Sequence, residues 1–157
     1  MKSYLTHGLV MIGMAGFAVF AHADLKVSNA WVKPTVPGQP VAGAYMALAS
    51  DKDMDVIEVL TPVAGKAEIH SMSMDGNIMR MKKLDRLQLK PGKVVELKPG
   101  GFHIMLMELN HQIKAGEVVP IRLVTQDKSG KKATISVNAI AAEPKTSEST
   151  SGMHMHH

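Results

Sequence analysis

His103, Met105 and Met107 alternate along Phe102-His-Ile-Met-Leu-Met-Glu108, directly after Gly100-Gly101. A second set stands upstream, His70-Ser-Met-Ser-Met74, with Met79 and Met81 just beyond it. A β-strand sends alternate side chains to one face, so each run can present a row of imidazole and thioether groups on one surface. That donor mixture suits copper, and the soft thioethers suit Cu(I) in particular. The chain has 13 methionines in 157 residues. Met46 and Met54 read as adaptable core filler. Filler does not account for the clustering of the others beside histidine.

The remaining composition narrows the chemistry. There is no cysteine, which excludes a disulfide framework, a thiolate ligand and the blue-copper electron-transfer site. Zn(II) would want thiolate or carboxylate beside histidine. A three-histidine oxygen-chemistry site would want more imidazoles. No Ser-His-Asp, paired-carboxylate or phosphate-loop pattern stands out.

Strands must position these groups. About nine short β-rich or period-two runs fall between residues 25 and 140, separated by turn signals such as Pro37-Gly38, Asp75-Gly76, Pro91-Gly92 and Ser129-Gly130. No segment carries a sustained helical stripe. The expectation is an all-β single domain, a sandwich or small barrel. Asp75-Gly76 is a strong signal for a two-residue hairpin turn. Taken as one, it pairs Met74 with Asn77, Met72 with Met79 and His70 with Met81. One hairpin face then holds His70, Met72, Met79 and Met81, and the other holds Ile69, Ser71, Ile78 and Arg80. The strand after Gly100-Gly101 completes the set with His103 and Met105.

The spacing resembles a known pattern. His70, ten residues, Met81, twenty-one residues and His103-x-Met105 is similar to the copper-binding motif of the PCuAC family of periplasmic copper chaperones. The resemblance extends to Ala30-Trp31-Val-Lys-Pro34, Pro37-Gly38-Gln-Pro40, Ala44-Tyr45-Met46 and Gly100-Gly-Phe-His-Ile-Met-Leu-Met107. It covers essentially 25–140. It implies a cupredoxin-like Greek-key β-sandwich and Cu(I) held by His70, Met81, His103 and Met105. It also implies delivery to the dinuclear copper centre of cytochrome c oxidase, with an oxidase subunit or another copper chaperone as acceptor. The family pattern reserves no place for Met72 and Met79. They are expected to form a hydrophobic collar, with alternative ligation during transfer as the other reading. Trp31 and Tyr45 are expected to pack in the core or at its rim, and His111 to sit in a loop.

The ends carry their own signals. Residues 1–23 have Lys2, an apolar stretch from Leu9 to Phe20 and Ala21-His22-Ala23, the plan of a secretory signal peptide. The stretch is short for a membrane span, so an uncleaved anchor is the lesser alternative. The working protein is expected in the periplasm, with residues 24–142 as the copper-binding domain and no stable membrane insertion after cleavage. The whole chain carries a formal charge of +4. Its basic residues are scattered and its aromatics few, which argues against nucleic acid as a partner. Residues 143–157 are polar and end in Met153-His154-Met155-His156-His157. They are expected to be a flexible tether whose end offers a second tract suited to Cu(II), a tag remnant being the alternative. The function read here is a copper carrier and not an enzyme. Copper sequestration for tolerance and a copper redox protein are the rival readings.

Overall fold

The structure is a computed structural model that describes residues 24–143. The expected signal peptide (1–23) and the Met/His end (153–157) lie outside the described residues. The described chain forms ten strands and no helix: β1 (Leu25–Val32), β2 (Val41–Ser50), β3 (Met54–Leu60), β4 (Ala64–Asp75), β5 (Ile78–Leu84), β6 (Leu87–Leu89), β7 (Val94–Leu97), β8 (His103–Leu109), β9 (Val118–Asp127) and β10 (Lys132–Ala141). All the β-rich runs stay separate strands, one more than the expected nine.

The hydrogen-bonded order is β5-β4-β8-β2-β1-β10-β9-β3-β6, with β7 also on β2. β2 makes this possible by dividing its edge. Val41–Ala44 pair with β8 and Met46–Ala49 pair with β7. Away from the ladder, β3 lies against β4 and β6 against β2, so the continuous sheet folds over onto itself as a sandwich. Strict alternation in β2 and β9 drives this packing: every second side chain is buried. Val32, Leu48, Val56, Ile104, Ile121 and Leu123 are fully enclosed. Burial of such side chains supplies the main driving force for folding. Met46 and Met54 are both core residues.

One registration differs from the sequence expectation. The β4–β5 turn is Gly76-Asn77, enclosed by an Asp75–Ile78 pair, instead of Asp75-Gly76. Gly76 has φ +61° while Asn77 keeps an ordinary negative φ. A positive φ at the first central position alone is the type II′ requirement, which glycine meets without steric cost. The consequence is a two-position slide. Met72 stands across from Met81, Met74 across from Met79, and His70 across from Lys83 instead of Met81. A slide of two preserves the faces, so His70, Met72, Met79 and Met81 still share one surface.

Candidate metal centre

β8 sorts its side chains by alternation. Ile104 and Leu106 enter the core, while His103, Met105 and Met107 face the other way. β4 does the same with Ile69 inward and Glu68, His70, Met72 and Met74 outward. The register then joins the two rows: His70 lies directly opposite His103, Glu68 opposite Met105 and Lys66 opposite Met107. Met105 on β8 and Met81 on β5 are the diagonal neighbours of His70, on its two sides. All four predicted residues therefore converge on one surface, although they come from three strands.

The two rings stand 5.8 Å apart between centroids, inclined at 62°. Each histidine has one nitrogen engaged and one left over. His70 Nε2 donates to Glu68 Oε2 at 3.0 Å, and its Nδ1 is buried with no hydrogen-bond partner among the described residues. His103 Nδ1 donates to the Gly101 carbonyl at 3.1 Å, which leaves Nε2 with the lone pair. These contacts set the tautomers, since a carboxylate and a carbonyl only accept. A partnerless buried nitrogen is rare in folded proteins, and a cation would complete it.

Burial is graded across the centre. His103 is 4% exposed and Met81 47%. A cleft of about 310 Å³ opens over Met81, His103 and Met105, lined also by Met72, Tyr45 and Gly43 among others, with His70 set back from its lining. Among the described residues, no group of three or more His, Cys, Asp or Glu is placed to hold a metal. A site here must draw on thioethers, and neutral donors suit a singly charged soft ion.

Several contributors were not singled out from sequence. Glu68 holds His70 and is itself gripped by Lys83 Nζ at 3.1 Å. The hydrogen bond with His70, then that with Lys83, holds its carboxyl below the usual carboxylate range. An anionic carboxylate on the far nitrogen orients an imidazole and raises its basicity as a ligand. The signal was its position two residues before His70, on the same strand face. Gly43 pairs with Met105 and makes room for Tyr45, since a Cβ there would strike the Tyr45 hydroxyl and ring. Trp31 stacks on Tyr45 at 4.4 Å, and burial raises the Tyr45 phenol. Tyr45 is thus a wall of the cleft, beyond simple packing. Met72 lines the cleft directly opposite Met81. Met74 and Met79 lie farther out, 63% and 60% exposed, so Met79 is no buried collar. His111 is an exposed loop residue bound to Glu117 at 2.6 Å.

Comparison with known proteins follows the same lines. The family model described as "Putative lipoprotein LpqE-like" matches residues 25–139. A relative from Leifsonia xyli subsp. xyli, Lxx21020, named as a lipoprotein, is 24% identical and aligns over 84% of this chain and 86% of its own length. The copper-bound PCuAC domain from PmoF2 superposes with a TM-score of 0.59 at 21% identity, over 78% of this chain and 97% of that one. The Cu(I) form of DR1885 from Deinococcus radiodurans does so at 0.57 and 29% identity, over 76% and 78%. The fold is the cupredoxin-like β-sandwich of PCuAC domains, and the chain belongs to the LpqE-like, PCuAC-type family.

Proposed function

We propose that this protein is an exported copper carrier. It binds Cu(I) through His70, Met81, His103 and Met105 and passes it to the dinuclear copper centre of cytochrome c oxidase in the periplasm. The observation that carries the reading is the paired histidines, each with one nitrogen tied back and the other free, the His70 Nδ1 buried without a partner. A Cu(I) form of a relative at 29% identity supports it.

The graded burial suits a carrier. His70 and His103 supply the stronger, prepositioned donors. Met81, on the exposed side, is the ligand that an acceptor can displace first. Thioethers are weak neutral donors, so exchange of one at a time avoids releasing a free ion. Nothing in this sequence of exchanges needs a bond made or broken in an organic substrate, which fits a carrier better than an enzyme.

The test is transfer. Purified Cu(I)-loaded protein is mixed with an apo oxidase copper domain, and copper is measured on both after separation. Wild type should surrender its copper. Met81→Ala and His103→Ala should bind Cu(I) poorly in competition with a chelator while keeping the β-sheet spectrum. Wild-type affinity in both variants would sink the ligand assignment. Tight binding without transfer would favour sequestration.

A further inference from the structure

The β4–β5 tip carries a feature that the four-residue centre leaves unused. Beyond His70, the outward face of the hairpin is built only from methionine. Met72 is paired with Met81 and Met74 with Met79. The opposite face at these positions carries Ser71, Ser73, Arg80 and Lys82. β8 begins at His103, so among the described residues this stretch of β4 has β5 as its only hydrogen-bonded neighbour. The methionine face is therefore open.

Packing does not explain it. Met74 and Met79 are 63% and 60% exposed, so they fill no core gap. Sheet stability does not call for them either, since exposed strand pairs are best stabilised by β-branched and aromatic residues. Directly opposed residues in a hairpin have Cβ atoms about 4.5–5.5 Å apart. Methionine has three rotatable side-chain bonds, two of which move its sulfur, so the sulfurs of Met72, Met74 and Met79 can converge on one ion. Two neighbouring cations are occupied: Arg80 pairs with Asp75 at 3.0 Å and Lys83 with Glu68 at 3.1 Å.

We propose that Met72, Met74 and Met79 form a second, thioether-only site for Cu(I) at the hairpin tip. It feeds the inner centre by handing the ion to Met81. Met72 links the two places, because it lines the cleft over His103 and Met105 and stands on the same hairpin face next to Met74 and diagonal to Met79. The outer site has no imidazole and no buried nitrogen, so it binds more weakly than the inner one. This inference builds on the Cu(I) reading of the inner centre.

The experiment follows the methionine methyl groups of the full-length chain, carbon-13 labelled, by NMR during titration with Cu(I) under reducing, oxygen-free conditions. The first equivalent should shift the Met81 and Met105 methyls. Further Cu(I) should shift those of Met72, Met74 and Met79. The variant Met74→Leu/Met79→Leu preserves apolar surface and volume but removes two sulfurs. It should keep the inner affinity, lose the outer shift at Met72 and load the inner centre more slowly from a bulky Cu(I)–chelator complex. Loading at the wild-type rate, or Met74 and Met79 methyls unmoved by excess Cu(I), would overturn the outer site and leave an apolar docking face as the reading. A His103→Ala chain separates the two proposals. If it loses the tight site but keeps the outer shifts, the outer site stands alone. If wild type shows outer shifts and no tight site, the inner reading fails and the outer one survives.

Discussion

The two faces of the β4–β8 ladder share one backbone and one set of hydrogen bonds, yet they do opposite work. On the inner face Ile69 meets Ile104, both at or below 5% exposure, inside the sandwich core. On the outer face His70 meets His103, with one buried nitrogen left unpaired. Alternation alone puts the two pairs a residue apart. Stability is concentrated on one side, which frees the other to carry groups that no core would tolerate.

This division can be broken one face at a time. The largest effect should come from Ile104→Ala. A fully buried residue cut back to Cβ costs about 3 kcal/mol and should lower Tm by about 10 °C, measured by thermal unfolding followed by circular dichroism. The same variant should keep its Cu(I) affinity at temperatures where it is folded. Next is His103→Ala, which should weaken Cu(I) binding by about 100-fold in chelator competition, with a much smaller change in Tm. If the two variants affected both properties alike, the faces would not be separable.

Glu68→Gln sharpens the outer side. It keeps the shape and removes the charge that holds His70, so Cu(I) affinity should fall by about 10-fold with the fold unchanged. No change would mean that Glu68 serves only Lys83. The smallest effect lies far from the ladder. Asp127 accepts hydrogen bonds from Ser129 and Lys131 at the β9–β10 turn, which hold its carboxyl below the usual range, the Ser129 side chain contributing most. Glu117 is held low in the same direction, first by His111. A depressed carboxylate stabilises the fold above its unfolded pKa, and that contribution is lost as pH falls through the folded value. Stability measured in urea should therefore be flat near neutrality and decline in acid. Asp127→Asn should decline less steeply there.

Much of this was legible beforehand. The strands were marked by alternation and by glycine or proline between them, and the spacing of His70, Met81, His103 and Met105 singled out four residues that the fold brings to one surface. The hairpin register was not. Asp75-Gly76 and Gly76-Asn77 are both good turn pairs, and the first would need a positive φ at Asp75, whereas only Gly76 carries one. The correct faces survived because the error was an even slide. Glu68 went unnoticed because a lone carboxylate in a strand looks like ordinary surface until its partner His70 is placed. The exposure of Met74 and Met79 was also hidden. It depends on where β8 begins, which is a property of the whole sheet.

The parallel pairing of β1 with β10 has a consequence in time. Trp31 meets Ile140 and Val32 meets Ala141, contacts that close a loop of most of the domain. Such non-local closure is entropically costly and is associated with folding over milliseconds to seconds. The sandwich cannot finish until its last strand is available. Every residue of the candidate site, from Glu68 to Met105, lies well before β10 in the chain, so the groups are all in place in sequence before the strand that closes the sandwich.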